Sequence, residues 1–338
     1  MKIDSRFLNL PYYIWRGIQY HIPEEISCHS LALVNFLVTR RCNSRCIMCS
    51  IWETGNKEEE LSIEEIRRIF SHRVFKDLDY ISLAGGEPFL RDDIAEIADT
   101  VQSCCHKLNG MSIFTNGFLT SLVEQRLKEV LERVDLKRLG EFLVSVSIDG
   151  IGEVHDKIRG VKDGFPKAVA TIDLLREMQK QYGFKMQINT VIQKSNLGML
   201  NEIWQFAQDK GLHIHFVPVR LANFIFSNVD RKSNFEIEMD QIKDLKKFVF
   251  GTYLKGDESP VRLFWKDYFN MARANDRKTP CLWNSYAAAL NADGTLFPCE
   301  ASSSLVYGNV REKDIEEIWC SKESIEKRKK LRKTFCKK

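Results

Sequence analysis

From residue 34 the chain alternates short apolar, β-branched runs with stretches of helical period, and this alternation limits the fold more than any other feature. The runs are Leu33–Val38, Tyr80–Leu83, Met111–Phe114, Phe142–Ile148, Lys185–Ile192 and Leu212–Val217. Between them, apolar residues return every three or four positions. Ile63, Ile66, Ile69 and Phe70 form one set, and Ile94, Ile97, Ala98 and Val101 the next. Val169, Ile172, Leu175 and Met178 follow, then Leu200, Ile203, Trp204 and Ala207. Each set falls on one face of a helix. Ser62 and Glu65 have the spacing of a capping box ahead of the first helix. Strand–helix–strand units of this length require parallel strands joined by right-handed crossovers. The repeat stops short of a full eight-stranded barrel. The expected fold is therefore α/β, a partial (β/α)6 barrel, with its chemistry at the carboxyl ends of the strands.

A break at residues 220–235 interrupts the alternation. Beyond it come a helical stretch, then Tyr286–Leu290, the turn Asn291-Ala292-Asp293-Gly294, and Thr295–Phe297. Asp-Gly between apolar runs signals a hairpin. The expected division is an N-terminal helical extension over 1–33, the barrel over 34–230, and a smaller cysteine-bearing domain over 231–338. The opening stretch reads as a short amphipathic helix packed on the main body. It lacks the apolar core and cleavage site of a secretory signal. No apolar run reaches membrane-spanning length. The net charge is +4. Much of it lies in Lys327, Arg328, Lys329, Lys330, Arg332 and Lys333, the pattern of a solvated helix face. With no aromatic stacking pattern beside these residues, nucleic-acid binding is not expected. A cytoplasmic location is.

Ten cysteines are many for such a chain. In a reducing compartment they are not expected to pair as disulfides, and tight spacing marks metal or redox work instead. Cys42, Cys46 and Cys49 follow the first strand as Cys-x3-Cys-x2-Cys. Structural zinc normally takes four protein ligands, so three thiolates leave one position open. An iron–sulfur cubane tolerates this, with its fourth iron free for an outside ligand. Zinc or redox cysteines are the other reading of this loop taken alone. After the second strand comes Ala84-Gly85-Gly86-Glu87-Pro88, whose glycines allow close backbone approach. The third strand ends in Thr115-Asn116-Gly117. On the fourth, alternation puts Ser145, Ser147 and Asp149 on one face. In a barrel that face points inward, where polar groups need a partner or a ligand. Cys104 and Cys105 are expected as packing residues on a helix.

Together these motifs resemble the radical S-adenosylmethionine (SAM) superfamily, over about residues 34–336. The resemblance implies a TIM-like partial barrel. It implies a [4Fe-4S] cluster held by Cys42, Cys46 and Cys49, whose open iron chelates the amino and carboxylate groups of SAM. Gly85, Gly86, Glu87 and Pro88 would receive the SAM amino group. Asn116 and Ser147 would lie at the SAM site, Ser147 toward the ribose, with Asn189 a further contact. Met48 and Val217 would touch adenine. The segment His155–Gly160 matches a pattern in the branch that modifies peptides and sugars. Arg159 is expected there to bind a carboxylate of SAM or of substrate, a surface salt bridge being the other reading. Cys281, Gly294 and Cys299, spaced Cys-x12-Gly-x4-Cys, resemble the opening of SPASM and twitch domains, which carry auxiliary iron–sulfur clusters. Asp293-Gly294, Pro298-Cys299, Gly308-Asn309 and Ile318-Trp319 fit the same pattern. Cys336 is expected as the third ligand, and Cys320 as a packing residue. The full SPASM pattern has more cysteines than this sequence offers. A single auxiliary cluster is therefore expected, unless further cysteines follow Lys338.

The expected activity is reductive cleavage of SAM to a 5′-deoxyadenosyl radical. That radical would abstract hydrogen from a small metabolite (sugar-like, nucleotide-like or lipid-linked), giving oxidation or rearrangement aided by the auxiliary cluster. Peptide or protein modification is the alternative. The segment before the first strand is short for a separate peptide-docking domain. A non-catalytic partner that binds SAM and clusters is a third reading, and the intact cysteines and glycine pair speak against it. A flavodoxin or ferredoxin is the expected reductant. Arg159 and Asp149 are the catalytic candidates. Asp149, His213, His215 or a tyrosine within 218–280 is expected as proton acceptor.

Overall fold

The computed structural model describes residues 28–55, 60–223, 225–257, 259–274, 277, 281, 283–302 and 305–334. The expected N-terminal amphipathic helix and Cys336 lie outside these residues. Six strands make the barrel: β1 (Leu33–Thr39), β2 (Tyr80–Gly85), β3 (Gly110–Thr115), β4 (Glu141–Ser147), β5 (Lys185–Ile192) and β6 (His213–Pro218). They are parallel, in the order β6-β5-β4-β3-β2-β1. A short helix, α1 (Ile51–Thr54), follows the cysteine loop. The crossover helices are α2 (Ile63–Phe70), α3 (Ile94–Cys104), α4 (Thr120–Arg133), α5 (Glu153–Arg159), α6 (Gly164–Tyr182) and α7 (Leu200–Asp209). At α2 the capping box forms: Ser62 accepts from Glu65 N–H while the Glu65 carboxylate accepts from Ser62 N–H. Its Ile66, Ile69 and Phe70 are buried, worth roughly 2 kcal/mol each when fully withdrawn from water.

Alternation along the strands sorts the side chains. On β1, Val34, Phe36 and Val38 enter the core beneath the helices, while Asn35 and Leu37 face the barrel interior. On β6, Phe216 turns outward onto Phe248 and Tyr253, with ring centroids 5.2 and 4.9 Å away. Those rings belong to α8 (Ile242–Phe248) and the wider turn that extends it. The helix α9 (Pro260–Ala274) follows. No helix among the described residues is long and apolar enough to cross a membrane.

The C-terminal hairpin does not build a sheet of its own. After α10 (Trp283–Tyr286), β7 (Ala287–Leu290) joins β1 as a further parallel strand, in register from Leu33↔Ala287 to Phe36↔Leu290. Three successive alanines, all buried, give it the slimness that this inner place requires. The chain then turns at Gly294, whose φ of +87° only glycine adopts readily. The strands β8 (Thr295–Phe297) and β9 (Gly308–Asn309) return antiparallel. The result is one nine-stranded sheet.

Two sequence expectations need correction here. The helices α11 (Ile315–Cys320) and α12 (Lys322–Lys333) pack against the segment that leads into β1. Trp319 donates its indole N–H to the His29 carbonyl at 2.6 Å. This contact brings Cys320 beside Cys28, and the two are joined as a disulfide. Cys320 is bridged rather than merely packed, and the expectation of no disulfide fails at this pair. Their separation of 292 residues leaves no spacing signal to read. The basic run is also not wholly a solvated face. Arg328 is buried, with its guanidinium 4.1 Å above the Trp319 ring and 3.0 Å from the Trp319 carbonyl. Cys104 and Cys105 do pack at the end of α3, against the main core.

Candidate functional site

The three-cysteine loop after β1 is held on three sides. On the first, Gly86 N–H donates to the Thr39 carbonyl (2.8 Å) and Glu87 N–H to the Arg41 carbonyl (2.9 Å). A Cβ at Gly85 would stand 2.2 Å from the Thr39 oxygen, and one at Gly86 2.1 Å from the Arg41 oxygen. The glycine pair is thus required by the approach of two backbones. On the second side, Arg45 N–H bonds the Arg159 carbonyl and Ile47 N–H the Ile158 carbonyl, both at 2.9 Å. Ser44 Oγ donates to the same Arg159 oxygen at 2.9 Å. On the third, buried Asn228 donates to the Met48 and Arg220 carbonyls, both at 2.8 Å. This side chain, with the Ser50 N–H bond to the Phe226 carbonyl at 2.8 Å, stitches the stretch just past β6 to the cysteine loop.

Cys42, Cys46 and Cys49 all line a cavity over the carboxyl ends of the strands. Burial pushes the Cys42 and Cys49 thiols up to about 12, with Glu87 adding to the first and Cys46 to both. Thiolates in such a place need a cation to balance their charge, which a metal supplies on binding. Three thiolates from one loop are one ligand short of a structural zinc site and fit a multi-iron cluster that leaves one iron open. Two side-chain nitrogens face these sulfurs, Asn116 Nδ2 at 4.0 Å from Cys42 and Arg159 Nη1 at 3.9 Å from Cys46.

Met48, Gly85, Gly86, Asn116, Ser147, Arg159, Asn189 and Val217 line the same cavity. The structure brings them together from β2, β3, β4, β5, β6, α5 and the cysteine loop. Glu87 and Pro88 stand apart from them. The Glu87 side chain is buried behind the loop, accepting from Asn116 N–H at 2.7 Å and Phe89 N–H at 3.3 Å. Burial raises its pKa to about 7. It ties the end of β2 to the end of β3.

Asp149 is committed in a similar way. It is fully buried, 2.7 Å from Arg159 Nη2, and its other oxygen accepts from Val191 N–H at 2.8 Å. These contacts fix the Arg159 guanidinium in place. Burial works against the charge on Arg159, yet Asp149 and Cys46 outweigh it and hold that pKa above the usual value. His155 stands behind this pair. Its Nδ1 accepts from Asp149 N–H at 3.1 Å, and burial depresses its pKa to about 3. Of the other proposed proton acceptors, His213 is exposed, and Tyr253 and Tyr268 pack among aromatic rings. His215 lines the cavity, with its pKa lowered by burial and then by Arg220 and His213.

Several cavity residues escaped the sequence reading. Asn35, Ser82, Trp52, Arg220, Phe226 and Glu300 also line the cavity. Asn35 and Ser82 occupy the inward phase of their strands, a signal that alternation alone offers. Glu300 carries no local signal. It follows Cys299, accepts from Asn35 Nδ2 at 3.1 Å, and pairs with Arg220 through its other oxygen. Since β6 is one edge of the sheet, this ion pair bridges the open side of the barrel. Nearby, Cys299 is raised by burial and by Cys281, and contacts Ser302 Oγ at 3.2 Å.

Comparison with known proteins agrees with this geometry. The profile described as the radical SAM superfamily matches residues 36–206. A second, described as an iron–sulfur cluster-binding domain of the SPASM type, matches residues 281–338. The chain is 27% identical over 321 residues to an AdoMet-dependent heme synthase of Methanosarcina barkeri (strain Fusaro / DSM 804), covering 89% of this chain and 84% of that protein. It is 26% identical over 296 residues to a GTP 3′,8-cyclase of Campylobacter jejuni subsp. doylei, covering 84% and 86%. Among solved structures, Streptococcus suis SuiB bound to S-adenosylmethionine superposes with a TM-score of 0.63 at 15% identity, covering 96% of this chain and 73% of that one. Native anSMEcpe with bound AdoMet and the Cp18Cys peptide gives 0.60 at 18%, covering 88% and 82%. The chain belongs to the radical SAM superfamily and carries a SPASM-type iron–sulfur cluster-binding domain at its C-terminal end.

Proposed function

We propose that this protein cleaves SAM reductively and uses the radical to oxidise or rearrange a small polar metabolite. The observation that carries the reading is a shared cavity: Cys42, Cys46, Cys49 and Arg159 line it together with the bonded group Asn35, Arg220 and Glu300. When bound, the cluster at Cys42, Cys46 and Cys49 with SAM supplies a 5′-deoxyadenosyl radical, and the cluster held by Cys281, Cys299 and Cys336 an electron acceptor. Arg159, kept charged by Asp149, would clamp the SAM carboxylate. Ser147 and Asn189, paired in register on β4 and β5, would meet the ribose. Met48 and Val217 offer apolar contacts for adenine. Phe226 and Trp52 exclude water beside the cysteines. His215, its pKa lowered, is neutral at pH 7 and would take the proton from a substrate hydroxyl. A flavodoxin or ferredoxin would deliver the priming electron. The relatives that align along most of the chain are a heme synthase and a GTP cyclase. Both names denote small-molecule chemistry, which supports a metabolite over a peptide.

The test follows the hydrogen. Extract from cells grown on deuterated carbon source is split into small-molecule and peptide fractions, and each is incubated with reconstituted protein, SAM and reductant. Deuterated 5′-deoxyadenosine arising from the small-molecule fraction is the expected result. Label arising only from the peptide fraction overturns the metabolite reading in favour of peptide modification. Absence of 5′-deoxyadenosine from both overturns radical catalysis altogether.

A further inference from the structure

The wall around Glu300 has its own composition. Glu300 and Arg220 cancel in charge, Asn35 presents an amide, and His215 is a lowered-pKa imidazole with no hydrogen-bond partner among the described residues. The apolar side chains of Leu37 and Phe226, which pack with Cys42 and Cys49, line the same cavity. We propose that it recognises an uncharged, hydroxyl-rich ring with at least two neighbouring hydroxyls, a sugar or cyclitol unit. This deepens the metabolite reading given above and rests on it.

Three physical points converge on that class. First, an ion pair of net zero charge cannot favour an anion or a cation: an anion entering at Arg220 meets Glu300, and a cation entering at Glu300 meets Arg220. A hydroxyl both donates and accepts, so neighbouring hydroxyls can donate to Glu300 and accept from Arg220 at once. Second, Asn35 accounts for only one of the lone pairs on Glu300 Oε1, and Arg220 is half-exposed with donors to spare. Both groups are preorganised by each other and still have bonding capacity toward the cavity. Third, Leu37 and Phe226 suit the C–H faces of such a ring, leaving its hydroxyl edge to the polar cluster. The imidazole of His215 is then within the same wall as the hydroxyl it would deprotonate.

The experiment measures binding, not turnover. Full-length reconstituted protein is saturated with SAM, its clusters left oxidised, and titrated with methyl α-D-glucoside or myo-inositol, against D-glucuronate and D-glucosamine. Saturation-transfer NMR and calorimetry read the dissociation constants. The neutral probes should bind more tightly than either charged one. Glu300→Gln should weaken them about tenfold, the scale of one charge-assisted hydrogen bond, and His215→Asn about threefold, the scale of one neutral bond. Two separate variants guard against a failure to fold, which thermal melting would reveal. Tighter binding of a charged probe, or neutral binding that both folded variants leave unchanged, overturns the proposal. Wild type that forms 5′-deoxyadenosine but binds no polyol sinks this inference alone. Polyol binding without any 5′-deoxyadenosine sinks the radical reading and leaves the recognition site standing.

Discussion

The two walls of the cavity are built in opposite ways. The cysteine wall comes from short contiguous motifs, each at the end of a strand, locked together by backbone bonds from Gly86, Glu87, Arg45 and Ile47. The other wall is gathered from remote places: Asn35 on β1, Arg220 past β6, and Glu300 past β8, 265 residues from Asn35. Radical generation asks for one fixed geometry, and local motifs with committed backbones provide it. Substrate choice asks for variation, and side chains on separate elements can change one at a time without disturbing the cluster.

Replacing Cys42, Cys46 and Cys49 together by alanine tests the first wall at its strongest point. Iron should fall to what the SPASM-type domain holds, and 5′-deoxyadenosine formation should vanish. Retention of all iron would refute the ligand assignment. Arg159→Lys comes next. Lysine keeps the charge but loses the planar fork, so SAM affinity should fall on the order of tenfold to a hundredfold, as for one charged hydrogen bond or two. An unchanged SAM dissociation constant would return Arg159 to a purely structural ion pair. Gly86→Ala is a milder blow. Its Cβ would stand 2.1 Å from the Arg41 carbonyl, so the cysteine loop must shift, at a cost of roughly 2 kcal/mol. A melting temperature lower by several degrees, with reduced iron uptake, is the expected outcome. Normal iron at an unchanged melting point would show that the loop is looser than the two backbones imply.

The sequence made the first wall legible and the second nearly invisible. Strand periodicity located all six barrel strands, and the glycine pair and cysteine spacing marked the strand ends. What it left open were side-chain contacts that depend on burial. Glu87 sits in a ligand-binding motif, and its carboxylate serves two backbone N–H groups that no motif announces. Asp149 shares the inward phase of Ser145 and Ser147, but Arg159 claims it. Glu300 gave no hint, since only the pairing of β7 with β1 carries that part of the chain to the barrel. The Cys28–Cys320 bridge was hidden for the same reason.

That attachment of the second wall can itself be probed by acid. Beyond the β1–β7 pairing, Arg311 past β9 grips Glu65 on α2 with two bonds, of 2.7 and 2.9 Å, and also bonds the Glu60 carbonyl at 3.0 Å. The bond to Arg311 is the main reason that the Glu65 carboxyl titrates at about 2, against 4.5 ordinarily. A depressed folded pKa means that this contribution is whole above about 4.5 and drains away as pH falls toward 2. The pair is partly exposed, so solvent screening keeps the effect small. Glu65→Gln isolates it, because glutamine still completes the capping box at Ser62. At pH 7 the variant should melt about 2 °C below wild type, and the gap should close as the pH drops from 4.5 to 2. High salt should narrow it at any pH. No gap at any pH would mean that Glu65 matters as a cap alone. The hairpin that carries Glu300 would then be held to the barrel by its strand pairing, and the second wall would prove as firmly built as the first.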